Sequence, residues 1–309
     1  MTVPPPAIEA TGLRKSHGAT AILAGVDLRV PAGTVCALLG PNGSGKTAVL
    51  RILAGRMRPD AGTVRVAGHD LARDPGAARA AIGLAGHPST VDDRLTGEEN
   101  LLRGLRHLGR ARARRRAAAL LERLGLTGAA TLPAAACPAG VRRRLDLALA
   151  LTGDPSVLLL DEPTAGLDPR ARRAVWENVR DLAAGGLTVL LTTQDLAEAG
   201  ELAGRVAVLD RGRLVAEGTP AELRRRAPGG HVLLRLAGPE VLDRAARALG
   251  ATGRDDRALT LRVPHDGSVP ALHDLLGRLD DALVDVEELT LHTPDLGDAF
   301  LALTGQTAT

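Results

Sequence analysis

The sequence predicts a doubly wound α/β domain on a mostly parallel sheet, followed by a small α+β domain. Three observations predict it. A strand, a glycine-rich loop and a helix succeed one another between Thr34 and Ala54. Four consecutive apolar residues, Val157 to Leu160, end in two acids. Strands and helices then alternate, with a break of charge, proline and paired glycines at Arg224 to Gly230.

Taken in order, the elements follow from local pattern. After a proline-rich leader, Ala21 to Val30 alternates well enough for a strand, and Pro31-Ala32-Gly33 turns the chain. Thr34 to Leu39 is a buried strand aimed into the glycine-rich segment, and Val49, Leu50, Ile52 and Leu53 suit a helix over Lys46 to Ala54. Short strands follow at Thr63 to Ala67 and Ile82 to Ala85. Leu95 to Gly153 is mostly helical, with Thr96 and Glu99 at capping-box spacing. The unbroken apolar run Val157 to Leu160 reads as a central parallel strand, expected beside the strand that feeds the glycine-rich loop. A helix from Pro169 to Ala183, a strand from Leu187 to Leu191 and a helix from Asp195 come next. Strands Arg205 to Leu209 and Arg213 to Ala216 are joined by Asp210-Arg211-Gly212. Beyond the break the order is strand (His231 to Leu236), helix (Pro239 to Leu249), strand (Ala258 to Val263), helix (Val269 to Leu279), strand (Val284 to Leu291) and a short helix.

Composition narrows the function. No apolar run approaches the roughly 18 residues of a membrane span, and Met1 to Pro6 lacks the pattern of a secretory signal, so a cytoplasmic chain is expected. Cys36 and Cys137 lack metal-site spacing and read as ordinary thiols. Trp176 and Phe300 are the only aromatic residues of their kind and tyrosine is absent, which with a net charge of +3 argues against nucleic acid as a partner. Arginine runs at Arg112 to Arg116, Arg142 to Arg144 and Arg224 to Arg226 read as solvated helix faces before they read as a nucleic-acid or lipid patch. Asp255, Asp256, Asp280, Asp281 and Asp285 do not match a calcium loop and read as solvated turns.

The chemistry concentrates in two places. Gly40, Pro41, Asn42, Gly43, Ser44, Gly45, Lys46 and Thr47 form a full GxxxxGKT between strand and helix, a nest of main-chain amides for a phosphate chain that continues to Ala48. Lys46 is expected at the β- and γ-phosphates of ATP, and Thr47 on Mg²⁺. Only two of the 39 basic residues are lysines, Lys15 and Lys46, so a lysine here marks a need for a compact ammonium. Asp161 and Glu162, at the end of the apolar strand, are the expected metal carboxylate and the general base for the attacking water.

These residues resemble the ATP-binding-cassette (ABC) ATPases. Gly40 to Thr47, Leu158 to Pro163 and Ala165-Gly-Leu-Asp168 look like that family's Walker A, Walker B and D-loop. Val141 to Ala148, Leu191-Thr-Thr-Gln194 and the tail Pro294 to Gly305 are similar to the ATP-binding subunits of daunorubicin-type resistance exporters. The resemblance implies a P-loop NTPase of ABC-cassette type over residues 1–226, with a helical subdomain at about 88–156, and an accessory α+β domain over 227–309. It also implies a homodimer or heterodimer that sandwiches ATP and Mg²⁺ and drives a separate transmembrane permease. The chain would then sit peripherally on the inner face of the cell membrane, exporting an antibiotic or another hydrophobic molecule.

Several positions depart from the family pattern. The signature loop reads Pro138-Ala139-Gly140 where Ser-Gly-Gly is usual, and only Gly140 keeps its donor with little steric hindrance. His17 stands at the adenine-stacking position, where it is either a stacking ring or an exposed loop histidine. His87 takes the place of the glutamine that senses Mg²⁺ and faces the permease, and Gln194 replaces the histidine that contacts the γ-phosphate. Altered donors of this kind imply slow hydrolysis by the isolated protein. The alternative is a degenerate regulatory module in which nucleotide controls a partner without transport.

Overall fold

Every residue of Val35–Leu39, Val157–Asp161 and Thr188–Thr193 is buried, the mark of strands covered on both faces. The computed structural model describes residues 5–86, 89–226, 230–251, 253–292 and 295–304. It divides into two compact units, Met1–Thr219 and Pro220–Thr309.

The strands of the first unit are β1 (Ile8–His17), β2 (Thr20–Val30), β3 (Val35–Leu39), β4 (Ala61–Val66), β5 (His69–Asp70), β6 (Ile82–Ala85), β7 (Val157–Asp161), β8 (Thr188–Thr193), β9 (Arg205–Asp210) and β10 (Arg213–Gly218). Its helices are α1 (Lys46–Leu53), α2 (Pro75–Ala80), α3 (Gly97–Gly104), α4 (Arg110–Arg123), α5 (Ala139–Ala150), α6 (Pro169–Ala184) and α7 (Leu196–Leu202). A six-stranded sheet has the order β10-β9-β3-β8-β7-β6 and is parallel apart from β10. A separate antiparallel sheet has the order β2-β1-β4-β5.

Helix α1 is buried nearly all round, through Lys46, Ala48, Val49, Leu50, Ile52 and Leu53. One core joins Ile8, Leu13 and Leu28 of the antiparallel sheet to Leu159 and Leu190 of the parallel one through Val49 and Leu53. The glycine-rich loop is thereby fixed at the junction of two sheets.

Two expectations change. The strand ending in Asp161 does not lie beside the strand feeding the glycine-rich loop: β8 pairs with both β3 and β7 and stands between them. A run of apolar residues marks a central strand but carries no information about which neighbour it takes. The antiparallel sheet was also not foreseen, because β1 opens directly after the prolines with an irregular alternation. Its register shifts between Ala10 and Leu13 and again between Leu13 and Arg14.

The helical stretch resolves into α3, α4 and α5 with two short 3-10 turns, Thr127–Ala129 and Ala134–Ala136. The capping box forms: Glu99 N–H donates to Thr96 Oγ1 at 3.2 Å and Thr96 N–H donates to Glu99 Oε2 at 2.9 Å.

The second unit holds α8 (Pro220–Arg226), β11 (His231–Leu236), α9 (Pro239–Leu249), β12 (Gly253–Asp255), β13 (Thr260–Pro264), α10 (Val269–Asp281), β14 (Val286–His292) and α11 (Leu296–Thr304). Helix α8 groups with this unit, so the compact division falls seven residues before the expected boundary at residue 226. Proline at position 220 starts that helix and arginines end it, which resembles a linker in composition alone. The sheet order is β12-β13-β11-β14, over a core of Val232, Leu234, Leu242, Leu261, Leu275 and Leu279. Asp255 ends β12 and holds the turn that follows, accepting from the N–H groups of Arg257 and Ala258 at 2.9 and 3.1 Å.

Leu159 is fully buried in β7, whereas Leu132 is 46% exposed. Leu159→Ala is expected to lower unfolding free energy by about 2–5 kcal/mol, and Leu132→Ala by less than about 1 kcal/mol, in urea titrations.

Candidate functional site

Strand β3 delivers Gly40 to the top of the parallel sheet, where its N–H donates to Thr193 O of β8 at 3.2 Å. The loop then curls into α1 through Gly45, whose φ of +107° suits glycine alone. A Cβ there would lie 2.8 Å from Leu23 and 3.0 Å from Ile22 O, so β2 presses directly on the loop. No side chain caps α1, leaving its first-turn N–H groups free of acceptors from the helix itself.

Lys46 is 5% exposed and reaches back along the loop, donating to Gly40 O at 2.8 Å and Pro41 O at 3.0 Å. Its Nζ lies 3.8 Å from Glu162 Oε1. Burial lowers the Lys46 pKa, with Glu162 and Asp161 opposing that shift. Ser44 Oγ is buried without a hydrogen-bond partner. An ammonium satisfied mainly by carbonyls and an orphaned hydroxyl suit a loop built for an anion.

Asp161 is 8% exposed, and its Oδ1 accepts from Thr47 Oγ1 at 3.2 Å and from Thr192 Oγ1 at 2.7 Å. Thr192 also holds Glu162, whose N–H lies 3.1 Å from both Thr192 O and Thr192 Oγ1. Glu162 has φ +47°, left-handed for a non-glycine residue, a conformation that costs roughly 1–2 kcal/mol. That turn brings its carboxylate back to Lys46. Thr192 is a functional residue the sequence reading missed. Its only signal was the Thr-Thr end of an otherwise aliphatic strand, and its role depends on β8 lying between β3 and β7.

A second missed group is Glu198 in α7, which is 1% exposed. It accepts from Thr164 Oγ1 at 2.7 Å and Trp176 Nε1 at 3.2 Å. Burial raises its pKa, against the hydrogen bonds from Thr164, Thr193 and Trp176. It therefore ties the segment after Glu162 to the end of β8 and to α6.

The remaining expected residues take distinct places. Gln194 is exposed between β8 and α7, one residue before Asp195, which caps α7 by accepting from Ala197 and Glu198 N–H. Pro138 precedes α5 without a side-chain cap, and Gly140 is buried with its Cα face toward Ala171 of α6. His17 is exposed at the end of β1, opposite Thr20 in the hairpin whose second strand presses on Gly45. His87 lies outside the described residues. Lys15, the other lysine, makes a surface ion pair with Asp60 at 2.7 Å.

Among the described residues no group of three or more His, Cys, Asp or Glu is placed to hold a metal by itself. One carboxylate and one hydroxyl converging on the phosphate loop is a donor set suited to Mg²⁺ held jointly with phosphates. A groove of about 250 Å³ adjoins Asp161 and is bordered by Leu50, Arg51, Met57, Leu84 and Thr90. A different cleft of about 510 Å³, lined by Asp27, Arg29, Arg205 and Glu217, contains none of the phosphate-loop residues.

The ABC transporter family model matches residues 23–165. The chain is 47% identical over 306 residues to a daunorubicin resistance ATP-binding protein of Streptomyces coeruleorubidus, covering 97% of this chain and 96% of that one. It is 43% identical to the daunorubicin/doxorubicin resistance ATP-binding protein of Streptomyces peucetius, covering 99% of this chain and 95% of that one. A solved structure of an ATP binding subunit of an ABC transporter superposes with a TM-score of 0.63 at 29% identity, over 71% of this chain and 92% of the other.

Two measurements check the electrostatics. Below its lowered folded-state pKa, Lys46 is charged in both folded and unfolded chains, so the burial penalty is present in full; it disappears as pH rises past the ordinary lysine value of 10.5. Lys46→Met is thus expected to be more stable than wild type at neutral pH in nucleotide-free urea unfolding, with the difference shrinking toward that pH. Trp176, the only tryptophan, reports on Glu198. Its emission is expected to titrate above the ordinary glutamate value of 4.5 in wild type and to lose that transition in Glu198→Gln.

Proposed function

We propose, because this chain belongs to the family of ABC transporter ATP-binding subunits, that it powers a separate membrane permease exporting an antibiotic or another hydrophobic molecule. The chain is an ATPase of that family. No helix among the described residues is long and apolar enough to cross a membrane, and members of the family act with a membrane permease. The observation that carries the reading is the convergence of Lys46, Thr47, Asp161 and Glu162 on one glycine loop. Relatives named for drug resistance and for Nod factor export support transport over the regulatory alternative.

The site residues divide the work. Gly40 to Gly45 and the first turn of α1, through Ala48, would wrap the phosphates, with the Lys46 ammonium leaving its carbonyl partners to neutralise the β- and γ-oxygens. Thr47 and Asp161 would hold Mg²⁺, which supplies charge neutralisation to the phosphate chain when bound. Glu162, whose backbone is left-handed, would act as the base that takes a proton from the attacking water. The Gln194 amide would donate to the γ-phosphate. His17 would stack on the base, and His87 would stand in the segment facing the permease.

A second copy, or a related cassette, would close the site by presenting Gly140 across a dimer interface. Pro138 removes one hydroxyl and one N–H from that contact. Losing a single oriented donor typically slows a reaction by about 10²- to 10³-fold, so the isolated chain would turn over slowly. The groove at Leu84, Met57, Gly86 and Thr90 is the proposed docking face on the cytoplasmic side of the membrane.

The test is ATP hydrolysis by the full chain, alone and with its permease in vesicles. A low basal rate, large stimulation by the permease and loss of hydrolysis with retained ATP binding in Glu162→Gln are expected. Pro138→Ser combined with Ala139→Gly should raise the basal rate. A fast basal rate unaffected by the permease would sink the transport reading.

A further inference from the structure

Outside the phosphate site, α5 contributes a carboxylate to the core. Asp146 is 1% exposed and sits between Leu145 and Leu147, both buried. Its Oδ2 accepts from Gly86 N–H at 2.9 Å, and its Oδ1 accepts from Thr90 N–H and Thr90 Oγ1, both at 3.0 Å. Burying a carboxylate is costly unless charge-assisted hydrogen bonds compensate. Here both oxygens are committed to two residues just after β6, Gly86 and Thr90.

The other end of that stretch touches the metal carboxylate. Gly86 has φ +144°, and a Cβ on it would lie 2.6 Å from Asp161 Cβ and 2.8 Å from Asp161 O. Gly86 is therefore wedged between the residue expected to hold Mg²⁺ and the Asp146 carboxylate. Asp146 lies on the helix that Pro138 opens and that carries Gly140 in its first turn. The groove of about 250 Å³ is bordered by Gly86, Thr90 and Asp161 together. An object seated in the groove touches the two residues that Asp146 holds.

We propose that Asp146 is a positioning residue that links three parts: the end of β7 at Asp161, the segment Gly86 to Thr90, and the helix bearing the signature residues. By fixing Gly86 and Thr90 against α5, this carboxylate sets the alignment of that helix with Asp161 on which the rate of hydrolysis depends. This rests on the reading of the chain as a permease-driving ATPase. The identity of the residue matters: an asparagine has one acceptor oxygen and one amide donor, so it cannot serve Gly86 N–H and both Thr90 donors at once.

The test compares full-length wild type, Asp146→Asn, Thr90→Val and Thr90→Ser. In vesicles with the permease, Asp146→Asn is expected to lose about tenfold in kcat while KM for ATP moves less than about twofold. Thr90→Val, which removes one of the three bonds, should fall between, and Thr90→Ser should match wild type. Hydrogen exchange without the permease gives a second readout. Adding Mg·ATP should protect Gly40 to Thr47 in every variant, but protect Ala139 to Ala150 only where the Asp146 bonds are intact. Wild-type kcat and wild-type protection of Ala139 to Ala150 in Asp146→Asn would overturn the role. If Asp146→Asn does not fold, Thr90→Val indistinguishable from Thr90→Ser overturns it instead. A wild-type chain that binds no nucleotide would instead overturn the underlying reading, a separate result.

Discussion

A buried cation organises this molecule. Lys46 is only 5% exposed, yet its nearest carboxylate oxygen is 3.8 Å away and its direct bonds go to loop carbonyls. Such a group is held at the expense of desolvation, as its lowered pKa records. The position is tenable because α1 is locked between two sheets, so the loop cannot relax the ammonium into water. The same rigidity fixes Thr47 one residue later, and Thr47 meets Asp161 from across the sheet. The stiffness that makes the site expensive when empty of charge partners makes it preorganised for a polyanion.

Around that cation the carboxylates are arranged by threonine. Thr192 donates its hydroxyl to Asp161 and lies against the Glu162 amide, so one residue of β8 positions both acids. The strain at Glu162, with φ +47°, is offset by those bonds and points the carboxylate inward. Backbone strain held by surrounding structure is common where a side chain must be aimed. Asp161 and Glu162 are neighbours in sequence but serve different ends because the chain reverses hand between them.

What was legible in the sequence is what is contiguous. The phosphate loop, the acids after the apolar strand and the Thr96–Glu99 cap can each be read from a few adjacent residues, because their chemistry is local. Thr192, Glu198 and Asp146 could not be read that way. Each acts on a segment 31 to 60 positions away, through a sheet order or a helix packing that no short pattern encodes: Asp146 on Gly86, Glu198 on Thr164, Thr192 on Asp161. The misplaced neighbour of β7 has the same cause, since an apolar run reports burial and not adjacency. The sheet built on β1 escaped notice because its bulges break the alternation that would have announced it.

The departures from the family pattern fall on one side of this division. The glycine loop from Gly40 to Thr47, with Asp161 and Glu162, keeps the family pattern, while the departures fall at positions 17, 87, 138, 139 and 194. Local gripping depends on main-chain geometry that tolerates no substitution at the loop, whereas contacts made across an interface can be rebalanced by the other surface. Asp146 and Glu198, each buried and bonded to a different segment, lie outside both sets. A subunit of this kind can hold nucleotide firmly and still leave the rate of hydrolysis to its partner, since grip and control reside in different residues.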